Sequence, residues 1–578
     1  MATDIFDRYI PDKRTFDNIS ENIARIALEM SGDQTGAVFP AMLNEQNYVP
    51  TMRKWFQANW VNGMSDLTAL CKKWYTITRT GWRGGVTFSK SSSLSTGTKT
   101  GDNAGKSCTP STIATKGQDD YQNIPLFVPV DCNVYLDADG NPRITAIADV
   151  FGEFKRTDPT KIVGVLQMTG WARYFEDADS YGYEYTDVMP KDGFYPLPEA
   201  VALDGTVRPF VAHGKYAFGD SWECCSGRKT RLWDVSHNSQ RTGVWNAWGS
   251  RYCGRTSADD AFLKLMVMLK YGSLTLDNIM AGCLNYNYQY AAAVEEIGVE
   301  RIIITTAQAA NLLVGSSVLI GNPTAFSSGT TLDLDRGVAG MRAKASRVKI
   351  TKIEQVTIDG TTYAAVYVDN GGVTFDTTAN TITAEGDAPT YISTIAWNTG
   401  SCDEVQGVDG SPTNCTSGKE PFKLQGIEMG VGAYMVYGDA ILQYFKEDGV
   451  QKMHVCVCRD ASKIATSVTS DYRAAGYSIE CPSANNWVYI KYLGHDENLP
   501  ELIFPKESGG SSTTYTRDAI YLLADSTGVY EWLAFCGLYT GVERGGLSAV
   551  SGGHALGGAW WYISGGLSLT GNRGEYAA

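Results

Sequence analysis

The side chains able to do covalent chemistry are scattered along this 578-residue chain. The five histidines, His213, His237, His454, His495 and His554, lie far apart in sequence. No GxSxG, HExxH, P-loop or GxGxxG context surrounds a nucleophile, base or phosphate cradle. The carboxylate pairs Asp119-Asp120 and Asp259-Asp260 are adjacent, so the two groups diverge and read as solvated or capping residues. Thirteen cysteines offer only Cys224-Cys225, Cys456-x-Cys458 and the pair Cys402/Cys415 flanking a polar loop, with no CxxC for zinc. The acidic loop Cys402 to Asp409 has oxygen ligands for an ion, but a solvated loop explains it as well. We expect no cofactor, no metal and no catalysis.

The chemistry that the residue pattern does suggest is non-covalent contact. The last forty residues are rich in glycine, with Leu547, Leu556, Leu567 and Leu569 spaced as anchors and Trp560-Trp561-Tyr562 among them. Aromatic area interleaved with small Ser, Gly and Ala positions is the composition of an adaptable binding surface. A loose tail does not usually carry paired tryptophans.

The positioning elements change along the chain. Residues 1–86 read as a helical N-terminal region. Phe16, Ile19, Ile23, Ile26 and Met30 recur at helical spacing, and a second run takes in Trp55, Phe56, Trp60, Met64, Leu67, Leu70 and Trp74. Residues 87–121 are Ser/Gly/Thr-rich and read as a linker or long loop. Residues 122–298 begin with an alternating strand pattern through Ile124, Leu126, Val128 and Val130, and a hairpin turn at Asp139-Gly140. They end in an apolar helix that Ser257 would cap and Gly272 would stop. Residues 299–387 read as short strands without a helix, an inserted small barrel or sandwich. The earlier character resumes over 388–578.

The composition, 43% hydrophobic and 19% charged, suits several globular domains. A net charge of −14 and the lack of a basic stripe argue against nucleic acid as partner. No apolar run reaches membrane-spanning length, so no membrane insertion is expected. The N-terminal residues show no secretion signal, which makes free thiols the default.

Several stretches together resemble a known family. Pro421-Phe422-Lys423-Leu424-Gln425-Gly426-Ile427-Glu428, Arg208 to Tyr216, the helix followed by Lys270-Tyr271-Gly272-Ser273, and the ending Arg544-Gly545-Gly546-Leu547-Ser548, Trp560-Trp561 and Leu567 to Gly574 resemble bacteriophage tail and receptor-binding proteins. Those carry a C-type-lectin-like domain of the formylglycine-generating-enzyme type, and some are diversified by retroelements. The likeness covers roughly residues 150–298 and 388–578. It implies an α+β multidomain protein: a helical N-terminal region and a C-type-lectin-like domain interrupted by a small all-β insertion. It implies a virion protein, expected to be a homotrimer, that meets other virion proteins through the N-terminal region and a host cell-surface receptor, protein or glycan, through its C-terminal face. The implied contact residues are Tyr539, Val542, Glu543, Ser548, Val550, His554, Ala559, Trp560, Tyr562 and Gly565. Gly565-Gly566 stands where the family often has Ser-Arg. Only Cys536 lies near the end, so the cysteine pair of the family's enzymes is not recreated. A purely structural virion component is the alternative.

Overall fold

The computed structural model describes residues 48–61, 66–90, 96–189, 193–276, 279–282, 288–323, 332–380, 388–429, 431–534 and 546–576. The protein is mostly β, with 38% strand and 14% helix, and one sheet curls into a half-barrel. The first expected helix, Phe16 to Met30, lies outside the described residues. The second splits into Tyr48–Asn59 and Thr68–Ile77. Both pack their apolar faces into the main core, where Trp55 and Trp74 meet at 5.7 Å and Trp74 Nε1 donates to Tyr48 Oη.

The stretch expected to be a linker is instead structured. Arg83–Ser89 and Thr98–Gly101 join a five-stranded antiparallel sheet with Trp171–Glu176, Ser180–Thr186 and Tyr195–Pro196. Composition misled here because the anchors are few but deep. Val86, Phe88, Asn103 and Tyr121 are buried, and Asn103 and Tyr121 both donate to the carbonyl of Leu269. The expected strand through Ile124 and Leu126 begins only at Val130. Pro125, which has no N–H to give a ladder, starts a 3₁₀ turn instead. The hairpin at Asp139-Gly140 joins Val130–Leu136 to Pro142–Ile147.

The helix Ser257–Tyr271 is the centre of the molecule. Its cap is Thr256, one residue before the expected Ser257. Thr256 and Asp259 form the reciprocal capping box, and the helix ends at left-handed Gly272. All its residues except Tyr271 are buried, so it is enclosed on every side. A further helix, His237–Trp248, has no strong apolar period and was not expected. Its Ser236–Ser239 capping box is the sequence signal that marks it.

The largest sheet runs Tyr472–Ala474, Val450–Cys458, Tyr434–Glu447, Val529–Ala534, Val550–Ser551, Ala519–Leu522, Asn486–Gly494 and Phe504–Ser508. The C-terminal segment is woven through it. Val550–Ser551 pairs with strands on both sides, and Ile563–Ser564 lies parallel to Tyr434–Met435. Leu567–Ser568 then pairs with Cys253–Gly254 beside the central helix.

Residues 289–394 build a six-stranded sheet with its own core of Ile302, Ile304, Val318, Ile320, Ile350, Val366 and Ile392. The long hairpin Ala345–Ile358 to Thr361–Asp369 turns at Asp359-Gly360, both with positive φ. One helical turn, Thr306–Ala309, interrupts the strands where none was expected.

Arg573 ties the last residues to this frame. Its guanidinium, fully buried, lies 2.7 Å from Asp439 and 3.6 Å from Glu501. Asp439 also accepts from the N–H and hydroxyl of Ser257 at the start of the central helix. Removing one partner of a buried pair leaves a charge without compensation. Arg573→Met is expected to lower stability by about 3–5 kcal/mol, read as a shifted urea midpoint.

Candidate functional site

The Gly-rich end alternates between anchored and accessible stretches, and this decides which predicted contact residues can meet a partner. Tyr539, Val542 and Glu543 lie outside the described residues, as does Cys536. Ser548 is 1% exposed, and its N–H donates to Asp518. Val550 is in the sheet. Gly565 is buried, and a Cβ there would stand 2.8 Å from the Phe218 ring and 2.9 Å from Gln240 Oε1. Ser548, Val550 and Gly565 are therefore corrected from contact residues to packing residues. Small size at these positions lets strands approach closely; it does not keep a surface open.

The chain leaves the sheet after Gly552, whose carbonyl accepts from Tyr444 Oη. Between Gly553 and Trp560 it forms a short excursion. A turn closes it, with Gly558 N–H donating to the carbonyl of Ala555. Three further backbone bonds hold it: Glu531 N–H to the carbonyl of His554, Asn238 N–H to that of Leu556, and Trp233 N–H to that of Trp560. The Leu556 side chain is buried against Cys253, Ile441 and Cys456. Ala555 and Gly557 are exposed, and His554, Ala559 and Tyr562 half-buried. Trp560, at 40% exposure, is the most open aromatic side chain of the segment.

These residues converge on one aromatic surface. The rings of Trp560 and Tyr562 are nearly parallel, 8° apart with centroids at 6.2 Å. The His554 imidazole stands edge-on to both, at 4.7 and 6.4 Å. Beneath them Tyr562 packs on Tyr434 and on buried Trp561, and the Arg336 guanidinium caps the Trp561 ring at 4.7 Å. That arginine lies in a turn between strands of the 289–394 region and donates to the carbonyl of Thr394, so this region buttresses the site.

The three rings themselves carry no charge near pH 7, with the exposed Asp335 beside Tyr562. Partial burial lowers His554 below the usual imidazole range. Burial, then Asp335 and Glu531, raises the Tyr562 hydroxyl to about 12. Under the rings lies Glu531, fully buried. One of its oxygens accepts from His237 N–H, while burial pushes the carboxyl well above its ordinary range. Burial likewise lowers His237 to about 4. Flat rings with a hydroxyl and an imidazole edge can stack on sugar C–H faces or on planar and cationic side chains. They offer no nucleophile paired with a base.

One buried cluster does contain the residue types of acyl transfer. His213 Nδ1 lies 2.8 Å from Asp259 Oδ1, and Ser568 Oγ donates to Asp259 Oδ2 at 2.7 Å. The serine thus faces the carboxylate and not the imidazole, the reverse of an activated nucleophile. Burial opposes ionisation of Asp259, but His213 and Ser568 outweigh it and hold the carboxyl at about 2. All three side chains are buried, so the cluster fastens the C-terminal strand to the helix cap. Cys402 and Cys415 are free thiols, Cys402 buried. Among the described residues no group of three His, Cys, Asp or Glu side chains is arranged to hold a metal ion. No described helix is long and apolar enough to cross a membrane.

Two predictions follow from this geometry. Ala559→Ser should change stability by less than about 0.5 kcal/mol, whereas Gly565→Ser should cost about 1–3 kcal/mol, both read from chemical denaturation. Glu531 binds its proton more tightly folded than unfolded, so its contribution to stability falls as pH rises above the unfolded value near 4.5. Glu531→Gln should therefore flatten the decline in stability with rising pH, measured against wild type between roughly pH 5 and pH 8. No protein-family model matches the chain, and a search of characterised proteins finds no match.

Proposed function

We propose that this chain is a structural protein of a bacteriophage particle that binds a host cell-surface receptor through a C-type-lectin-like C-terminal domain. In this reading the 289–394 sheet is the small all-β insertion, and the N-terminal residues attach the protein to other virion proteins. The observation that carries the proposal is the His554–Trp560–Tyr562 surface. It is an accessible aromatic patch, bordered by Asp335, on a segment otherwise anchored by sheet pairing and a buried ion pair. Rigid aromatic contact area costs little ordering on binding, which suits recognition of a protein or glycan. In a homotrimer, three such patches would act together, so that a weak single contact becomes firm attachment. Diversification would act on accessible positions such as His554, Ala559, Trp560 and Tyr562, leaving Ser548 and Gly565 constant.

The test is adsorption measured separately from assembly. Particles carrying Trp560→Ala or Tyr562→Ala should form in normal numbers. Their binding to host cells should weaken by about 2 kcal/mol, roughly thirty-fold. Normal adsorption by the double variant would sink the receptor reading. Loss of the particles themselves would favour the purely structural alternative.

A further inference from the structure

The central helix ends in a lysine that never reaches water. Lys270 stands in the last turn, where a cation favours the carbonyl end of the helix dipole, but its side chain is 1% exposed. Its Nζ lies 2.6 Å from Asp409 Oδ2, 3.2 Å from Gln425 Oε1 and 3.5 Å from Asp119 Oδ2. Asp409 is held in place by Gln425 N–H at 2.6 Å and Tyr271 Oη at 3.0 Å. The Tyr121 ring centroid is 5.9 Å from Nζ. Three segments remote in sequence thus deliver one amine and two carboxyls to a dry, aromatic-walled point. A cavity of about 230 Å³, lined by Asp119, Asp409 and Cys108, adjoins it.

Three other buried lysines give the contrast, of which Lys423 donates to the carbonyl of Val405. Lys215 contacts both oxygens of Asp131, but Arg156 claims the same carboxylate at 2.6 Å. Two cations hold that carboxyl below its usual range despite burial, which keeps it ionised and inert. Lys264 pairs with Asp260 one turn earlier on its own helix, where a covalent link would join nothing new. Lys215 also has a second carboxyl, Asp403, at 3.9 Å, but Arg156 shares that one too. Among the described residues the Lys270 pair bridges separate segments with no arginine on either carboxyl.

The geometry points to a covalent cross-link in this protein: an intramolecular amide between Lys270 Nζ and Cγ of Asp409, formed with Asp119 as proton relay. The pair starts as ammonium and carboxylate. One proton passes along the 2.6 Å hydrogen bond to Asp409, leaving an amine and a carboxylic acid. The amine lone pair attacks Cγ, the C–N bond forms, and one C–O bond breaks. The departing oxygen leaves as water, carrying that proton and one from the amine, which Asp119 relays. No oxidant, reductant or cofactor enters the balance. Burial opposes the ammonium, though Asp409 ahead of Cys108 and Asp119 holds it above its ordinary range. Burial raises Asp119 as well, which suits a group that must carry a proton. Two physical factors favour the reaction. A buried ion pair bears the desolvation of both charges, which a neutral amide removes. The reacting groups are also held in contact, so the entropy of bringing them together is already lost. The bond would fasten the central helix to the 399–418 loop, independently of what the C-terminal face binds.

Mass spectrometry of the purified full chain under denaturing conditions tests this. The expected mass is below the sequence mass by one water, and digestion should release a branched peptide joining the segments of Lys270 and Asp409. Lys270→Arg and Asp409→Ala should each show their full sequence mass. Asp119→Asn, with native circular dichroism, should leave most chains unlinked. A full-mass wild-type chain, or a water loss that maps elsewhere, would overturn the proposal. The wild-type peptide map decides the matter even where a variant fails to fold.

Discussion

The ion pair between Arg573 and Asp439 is the constraint on which the C-terminal half of the structure depends. Both side chains are fully enclosed, so each charge must be met within the protein. Asp439 meets Arg573 on one side and the start of the central helix on the other, where unpaired N–H groups favour a carboxylate. Glu501 shares the cation and is itself held by both nitrogens of a fork from Arg459. The helix cap, the long strand Tyr434–Glu447 and the chain's last strand thereby converge on one point. The His213–Asp259–Ser568 cluster beside it likewise fastens the C-terminal strand to the helix cap.

This fastening explains how a glycine-rich segment can hold an open aromatic surface in place. Before the excursion, Val550–Ser551 is clamped between two strands; after it, Ile563 to Arg573 is buried almost without interruption. Both ends are thus fixed, and only 553–560, apart from buried Leu556, and Tyr562 remain open. Glycine at 552 and 565 serves the fixed ends, where Tyr444, Tyr521, Phe218 and Gln240 approach too closely for a Cβ. The open turn is ordered from outside, by backbone bonds from Trp233, Asn238 and Glu531. A partner meeting His554, Trp560 and Tyr562 would then require little further ordering of them.

The interior holds several ionised side chains, and apart from Lys264 with Asp260 on one helix they join segments remote in sequence. Lys270 joins residues near 119 and 409, Lys215 and Arg156 join 131 and 403, and Arg573 joins 439 and 501. Such contacts specify one arrangement more than they stabilise it, because desolvation offsets much of the attraction. Their members give no periodic signal. Asp259 and Asp260 are neighbours in sequence, and side by side they look like a solvated pair. In the structure one completes the helix cap and the other meets Lys264 and Tyr437.

The sequence by itself determined what depends on neighbours in the chain. The central helix, its glycine stop, the hairpins at Asp139-Gly140 and Asp359-Gly360, and a separate strand-rich stretch after residue 299 all follow from local spacing and turn chemistry. It also marked the end of the chain as anchors alternating with small residues. Tertiary structure alone decided which of those small residues are open. Ser548 and Gly565 read like Ala559, yet the first two are buried against Asp518 and Phe218 and the third is half-buried beside the open turn. It likewise turned part of the Ser/Gly/Thr-rich stretch after residue 87 into sheet, because Val86, Phe88 and Tyr121 find partners far along the chain, at Tyr183, Tyr181 and Leu269. The physical reason is the same in each case: a small or polar residue carries little free energy of its own, so its place is set by whatever packs against it.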